Sequence, residues 1–155
     1  MTTGYLASFE PAMRAALEEA AAAGSVGDIP VGAVVLDAAG TVIARGRNRR
    51  EADGDPTAHA ELVAIREAAR VAGGWRLDDM TLVVTLEPCT MCAGAVVASR
   101  LGRLVYGAED PRAGAVGSLW DVVRDQRLAP VPEVVGGVLA GESLNLIRTF
   151  FSERR

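Results

Sequence analysis

The stretch TLVVTLEPCTMCAGAVVAS, residues 81–99, predicts a strand that passes directly into a helix. Its first part, Thr81–Leu86, is short, apolar and rich in β-branched residues, which is typical of a buried strand. Glu87-Pro88 follows, and because proline is favoured in the first turn of a helix we expect a helix from there to about Ser99. A strand joined to a helix in this way favours an α/β protein.

The same alternation continues on both sides of this stretch. The other predicted elements are a helix capped by Ser8 that runs to about Ala23, a hairpin of strands Val31–Leu36 and Thr41–Arg47, a helix from Pro56-Thr57 to about Val71, strands Leu104–Gly107 and Val131–Gly136, and a closing helix Gly141–Arg155. Residues 108–120 are rich in glycine and proline and are predicted to form a functional loop. Together these elements predict one α/β domain over residues 1–155, with three layers and a mixed sheet of five strands.

Length and composition exclude several classes of protein. At 155 residues, half of them hydrophobic, the chain can bury the core of one domain without disulfide staples. Every apolar run is much shorter than the ~20 residues of a membrane span, and no signal peptide is visible. Two cysteines three positions apart do not resemble the disulfide framework of a secreted protein, so we expect a cytoplasmic protein that does not interact with membranes.

The one histidine and the two cysteines of the chain fall in a single pattern. It reads His59-Ala60-Glu61 and, after a gap, Pro88-Cys89-Thr90-Met91-Cys92. Cys89 and Cys92 lie on the same face of a helix start, where the helix dipole favours the thiolates that a metal requires. His59 is at the start of the preceding helix. We therefore expect two helix N-termini to converge on one zinc ion, with His59, Cys89 and Cys92 as ligands.

The number of ligands indicates what this zinc does. A structural zinc site has four protein ligands, whereas this chain offers three soft ones, which leaves a position for water as in catalytic sites. Glu61 is the candidate proton carrier, and it can meet His59 only at the helix tip because side chains lean toward the N-terminus. The alternatives are a redox C-x-x-C pair, two cysteines that only fill the core, and a structural zinc site completed by Glu61.

The H-x-E…P-C-x-x-C pattern is the signature of zinc-dependent nucleobase deaminases. Over roughly residues 10–155 the sequence also resembles the bacterial tRNA-specific adenosine deaminases, which form inosine at the anticodon wobble position. The blocks that carry this resemblance are DIPVGA at 28–33, GRNR at 46–49, DPTAHAE at 55–61, TLEPCTMCAGA at 85–95 and GAVGSL at 114–119. The resemblance implies a cytidine-deaminase-like α/β/α fold, one Zn²⁺ per subunit, a homodimer, and a tRNA anticodon stem-loop as the partner.

The same resemblance implies roles for individual residues. Water activated by zinc attacks C6 of adenine, while Glu61 moves protons from the water to N1 and to the departing ammonia. Asn48 offers a donor and an acceptor to the purine edge, and Val31 lines the pocket. The backbone N–H of Ala60, free at a helix start, binds the substrate or its developing charge.

Further residues are expected to contact the RNA around the target base. Asp110 matches the position that touches the ribose of the preceding nucleotide, and Arg112 is a candidate phosphate contact. Arg45, Arg47 and Arg49 alternate along an extended segment with Arg50 beside them, so they are either phosphate contacts or a solvated strand edge. In the closing helix, the 144, 147, 151 spacing predicts that Phe151 is core and that Phe150 contacts a base or loop.

The charge balance leaves other functions open. The net charge is −4 and all 16 basic residues are arginine, which is acidic for an RNA-binding protein. A deaminase of free guanine, cytosine or nucleosides would use the same zinc chemistry without an arginine-rich face. A non-enzymatic zinc-stabilised RNA-binding module would need neither Glu61 nor an open zinc position.

Overall fold

The computed structural model describes residues 3–154, in which helices and strands alternate along the chain. The helices are α1 (Thr3–Ala7), α2 (Glu10–Ser25), α3 (Arg50–Asp53), α4 (Ala60–Ala72), α5 (Thr90–Ala98) and α6 (Ala140–Ser152), with a 3-10 turn at Gln126–Leu128. The strands are β1 (Gly32–Leu36), β2 (Val42–Arg47), β3 (Thr81–Leu86), β4 (Arg103–Ala108) and β5 (Glu133–Val135). Within this part of the chain, no helix has the length and apolar character needed to cross a membrane.

The five strands form one mixed sheet in the order β2-β1-β3-β4-β5. Strand β1 is antiparallel to both β2 and β3, whereas β3, β4 and β5 are parallel to one another. Successive residues of the central strands point to opposite faces: Val35 and Leu82 pack in the layer of α4 and α5, and Val34 and Val83 in that of α2. Helix α6 packs in the α2 layer, against β4. The predicted three-layer arrangement and mixed sheet are therefore confirmed.

The close contact between α4 and the sheet depends on Gly46 in β2. A Cβ atom at this position would lie 2.4 Å from the carbonyl oxygen of Ala60 and 2.6 Å from the backbone nitrogen of Ala64. Any side chain here would push α4 away from the sheet. Since Ala60 is the first residue of α4, this contact lies at the start of the helix.

Several predicted helix boundaries are wrong, each for a local reason. Ser8 does not cap α2, because its Oγ donates to the carbonyl of Tyr5 and closes α1; Phe9 occupies the N-cap position instead. Helix α4 begins at Ala60, after Thr57 donates from both its backbone nitrogen and its Oγ1 to Asp55 Oδ1 in a side-chain-stabilised turn.

The last two predicted helices also differ from the structure in extent. Helix α5 begins at Thr90 rather than at Glu87, because Glu87 and Pro88 still belong to an extended segment with Cys89 as the N-cap. Helix α6 begins at Ala140, one residue before the predicted start, and ends at Ser152. Arg155, the predicted end of that helix, lies outside the described residues.

Candidate active site

The side chains of His59, Cys89 and Cys92 meet where α4 and α5 begin. His59 is the N-cap residue of α4 and Cys89 that of α5, while Cys92 lies in the first turn of α5. The Nδ1 atom of His59 is 3.6 Å from Cys89 Sγ and 3.5 Å from Cys92 Sγ, and all three ligand atoms lie within 4.8 Å of one another. The structure thus brings together the three residues that the sequence pattern singled out.

The donor set and its spacing fit a zinc ion. With Zn–N of about 2.0 Å and Zn–S of about 2.3 Å, tetrahedral angles give N···S distances of about 3.5 Å. The two N···S distances in the structure, 3.5 and 3.6 Å, already match that value. One imidazole and two sulfurs are ligands that zinc prefers, and they leave a fourth position for water.

The thiols of Cys89 and Cys92 lie so close together that each changes the pKa of the other. The pKa of the Cys89 thiol is lowered to about 3, because Cys92 and His59 donate hydrogen bonds that stabilise its thiolate. The pKa of Cys92 is raised, because it keeps the proton it shares with Cys89 and is also desolvated by burial. The pKa of His59 is raised, mainly by its hydrogen bond with Cys89. A cation at this point would take the place of the shared proton.

Glu61 lies in the first turn of α4, next to the three ligand atoms. Its side chain is only 4% exposed, and its carboxyl group lies next to the Cys92 thiol. Burial raises the pKa of this carboxyl group above its ordinary value. A buried carboxyl group beside a metal site and an open cavity is suited to proton transfer.

A cavity of about 180 Å³ opens onto these groups. This volume is smaller than that of typical sites for drug-sized ligands and suits a single planar base. Its walls come from five segments of the chain, which contribute Ile29 and Val31, then Asn48 and Arg50, then His59, Ala60 and Glu61, then Leu86, Glu87 and Cys89, and finally Asp110 and Ala113. Val31, Asn48, Ala60 and Asp110, all of which the sequence analysis placed at the substrate, line this cavity.

Asn48 is held rigidly at one wall. Its Nδ2 donates to the carbonyl of Ile29 at 3.1 Å, and its Oδ1 accepts from the backbone nitrogen of Arg50 at 3.1 Å. An asparagine amide has two N–H donors, so these bonds leave one donor for a ligand. The buried carboxylate of Asp28 supports this wall by accepting from the backbone nitrogens of Glu51 (2.7 Å) and Ala52 (3.1 Å) at the start of α3.

The opposite wall is the loop that follows β4. Asp110 lines the cavity while its Oδ1 accepts from the backbone nitrogens of Arg112 and Ala113, at 3.0 and 3.3 Å. Asp110 therefore stabilises the turn of the loop and lines the cavity at the same time. Arg112 is exposed on the same loop but does not line the cavity.

Two buried carboxylates around the cavity, Asp28 and Glu87, were missed by sequence reasoning. The only signal was their place inside the DIPVGA and TLEPC blocks, which assigned them no role. Burial by itself would raise the pKa of Glu87, but hydrogen bonds from Ser118, Asp110 and Val116 outweigh it, so the pKa is lowered. Glu87 is therefore a carboxylate bound by the loop rather than part of a helix start.

The three alternating arginines are paired with carboxylates of the same chain. Arg45 and Arg47 both point toward α2, where Arg45 Nη1 is 3.6 Å from Glu18 and Arg47 Nε is 2.9 Å from Glu19. Arg49 pairs with Asp53 at 2.8 Å. Arg50 differs, because it faces the cavity.

The prediction for the two phenylalanines of α6 is wrong. Phe150 is 8% exposed and Phe151 is 46% exposed, so Phe150 belongs to the packed interior and Phe151 to the surface. The guanidinium of Arg154 lies 3.5 Å from the centre of the Phe150 ring and covers it. Phe150 lines a groove between α2 and α6 and not the cavity at His59.

Comparisons with known proteins agree with this geometry. Residues 7–108 match the family described as the cytidine and deoxycytidylate deaminase zinc-binding region. A solved structure of a tRNA:A34 deaminase, which performs A-to-I editing at the wobble position, superimposes with a TM-score of 0.83 at 44% identity, covering 87% of this chain and 97% of the other. A guanine deaminase from Nitrosomonas europaea superimposes with a TM-score of 0.78 at 28% identity, over 92% and 84% of the two chains.

The tRNA-specific adenosine deaminase of Haemophilus influenzae is 49% identical over 146 residues, which are 94% of this chain and 84% of that protein. That relative and the tRNA:A34 deaminase are both more similar in sequence than the guanine deaminase. The protein therefore belongs to the tRNA-specific adenosine deaminase family and carries the zinc-binding region of the cytidine and deoxycytidylate deaminases.

Proposed function

We propose that this protein is a zinc-dependent hydrolase that converts adenosine to inosine at the wobble position of a tRNA anticodon. The observation that carries the proposal is the placement of His59, Cys89 and Cys92 beside Glu61, at the base of a cavity suited to one nucleobase. This arrangement lies in a chain whose relatives include tRNA-specific adenosine deaminases.

In this mechanism His59 Nδ1 and the sulfurs of Cys89 and Cys92 hold the metal. A zinc ion held there would lower the pKa of water enough to supply hydroxide near neutral pH, which is the nucleophile needed at C6 of adenine. Glu61 would take one proton from that water and pass it to N1, and would then take the proton of the new C6 hydroxyl group and pass it to the amino group, which leaves as ammonia when the C6–N bond breaks. The balanced reaction consumes adenosine and water and releases inosine and ammonia.

The position of Glu61 supports this role. Its carboxyl group is buried and in contact with Cys92, so it lies between the metal ligands and the cavity. Exclusion of bulk water keeps the transferred proton among the reacting groups. General acid–base catalysis of this kind typically contributes 10²–10⁴-fold in rate.

The walls of the cavity support recognition of a purine. The remaining N–H of Asn48 and the backbone N–H of Ala60, in the first turn of α4, are donors at the cavity surface, and Val31 provides an apolar contact. Asp110 contacts the ribose of the preceding nucleotide, and Arg112 contacts a phosphate outside the cavity. A stacked base cannot reach such a cavity, so the target must come from a single-stranded loop.

The chain acts as one deaminase domain over residues 1–155, and two copies form a homodimer. The apolar character of α5 supports the dimer: its sequence TMCAGAVVA is hydrophobic on all sides, yet Met91, Ala95 and Val97 are only partly buried and Ala98 is exposed. A second copy would cover this surface. The substrate and the free thiols of Cys89 and Cys92 are consistent with a cytoplasmic enzyme.

The proposal is tested by assaying zinc-loaded protein on an anticodon stem-loop with adenosine at the wobble position. The same stem-loop with guanosine there, and free adenosine, guanine and cytosine, serve as comparison substrates. We expect inosine only from the wobble adenosine. Activity confined to free guanine or cytosine would contradict the proposal, and so would full activity of protein from which zinc has been removed.

A further inference from the structure

The carboxylate of Glu87 joins the segment that carries Cys89 to the loop on the far wall of the cavity. Its Oε1 accepts from the backbone nitrogen of Asp110 at 3.0 Å and from Ser118 Oγ, and its Oε2 accepts from the backbone nitrogens of Val116 (2.9 Å) and Ser118 (3.1 Å). The side chain is 2% exposed. All four donors of this carboxylate belong to residues 110–118; three are backbone amides that lie outside the helices and strands, and the fourth is the hydroxyl of Ser118.

The surrounding backbone is shaped to admit this carboxylate. A Cβ atom on Gly114 would lie 2.4 Å from Glu87 Oε2 and 2.6 Å from the carbonyl oxygen of Asp110, so only glycine fits there. Gly114 forms an isolated β-bridge with Cys89, and the backbone nitrogen of Ala115 donates to the carbonyl of Pro88 at 2.8 Å. The loop is therefore folded around Glu87 and against Pro88 and the zinc ligand Cys89.

A buried carboxylate needs such compensation, since desolvation of a charged group is costly without hydrogen bonds. Here the compensation comes from the loop that carries Asp110 and Ala113, which line the cavity. Residues 109–118 contain no helix and no strand of the sheet, so their conformation depends on these contacts. The position of the cavity wall is thereby coupled to the position of Cys89.

We propose that Glu87 is a positioning residue, which holds loop 109–118 in the conformation that forms one wall of the nucleobase cavity. Its effect on activity rests on the proposed function, whereas its effect on the loop does not. Although Glu87 lines the cavity, both of its carboxylate oxygens accept hydrogen bonds from the loop, so it acts through the loop and not on the reacting atoms. Its loss therefore weakens substrate binding while the three zinc ligands stay in place.

The test uses Glu87→Gln in the full-length, zinc-loaded protein. Glutamine has the same shape but turns an amide NH₂ toward N–H donors, so part of the network is lost. We expect faster hydrogen exchange at the amides of Val116 and Ser118, a KM for the anticodon stem-loop raised roughly tenfold to hundredfold, a smaller change in kcat, and unchanged zinc content. Ser118→Ala, which removes one donor and leaves the backbone bonds, should shift the same quantities less.

Asp37→Asn is the matched control. Asp37 also accepts two backbone N–H bonds, from Ala39 and Thr41, but in the β1–β2 turn away from the site. Its KM should stay at the wild-type value. The proposal would be overturned if Glu87→Gln showed both wild-type hydrogen exchange at the loop amides and a wild-type KM. It would also be overturned if kcat fell because zinc was lost while KM stayed constant.

If Glu87→Gln does not fold, Ser118→Ala decides by the same two measurements. Wild-type loop exchange together with wild-type KM in that variant would overturn the proposal. Absence of activity in the wild-type protein would refute the proposed function instead, and loop exchange would still test the role of Glu87.

Discussion

Replacing Gly46 by alanine should disturb the metal site through the packing of α4. The added Cβ would lie 2.4 Å from the carbonyl oxygen of Ala60, and ordinary contact at such a position begins at 3.4 Å, so the two backbones must separate by about 1.0 Å. Ala60 follows the candidate ligand His59 directly. The shift needed to relieve the contact is therefore passed to the imidazole and to Glu61.

The expected size of the effect follows from this displacement. Overpacking of a well-packed core costs about 1–3 kcal/mol of unfolding free energy. A displacement of about 1 Å in a catalytic group can lower the rate roughly a hundredfold. We therefore expect Gly46→Ala to lose both stability and kcat/KM, and to bind zinc more weakly.

The assay combines urea unfolding, zinc content after dialysis, and deamination of the anticodon stem-loop. Gly74→Ala is the control, because a Cβ at Gly74 would meet nothing within 4 Å. Strand β2 lies at the edge of the sheet and could move outward instead of α4. Loss of stability with wild-type zinc affinity and wild-type kcat/KM would show that it does, and would refute the reasoning.

Three further results are expected. Glu61→Gln should lower kcat about 10²–10⁴-fold in single-turnover assays while zinc content stays at the wild-type value, because the proton carrier is lost and the ligands are not. Phe150→Ala should cost about 3–5 kcal/mol of unfolding free energy in urea, whereas Phe151→Ala, at an exposed position, should change it by about 0.5 kcal/mol or less. Removal of zinc with a chelator should abolish inosine formation, and added Zn²⁺ should restore it; activity that survives chelation would contradict the role of the metal.

The sheet was predicted well because strands leave a strong local signal. The run Thr81–Leu86 is apolar and rich in β-branched residues, and the structure gives β3 the same bounds. Helix starts were less predictable, because side-chain turns such as the one between Thr57 and Asp55 decide them. In α6 the spacing of the apolar residues was compatible with more than one buried face. Arg154 covers the ring of Phe150, and this contact cannot be predicted from the spacing of apolar residues.

At the candidate active site, too, some features could be predicted from the sequence and others could not. The meeting of His59 with Cys89 and Cys92 could be inferred, because only three soft ligands exist in the chain and zinc chemistry requires them together. The role of Glu87 could not be inferred, because its partners in the loop are 23, 29 and 31 residues further along the chain. Nothing local to Glu87 distinguishes it from an ordinary residue before a helix.

The most direct test of the account is deamination of a wobble-adenosine stem-loop in ¹⁸O-labelled water, followed by mass spectrometry of the released nucleosides. Hydrolysis at C6 predicts inosine at the wobble position with one ¹⁸O atom, formed by the zinc-loaded wild-type protein and about 10²–10⁴-fold more slowly by Glu61→Gln. Unchanged wobble adenosine under these conditions, or inosine without the label, would contradict it.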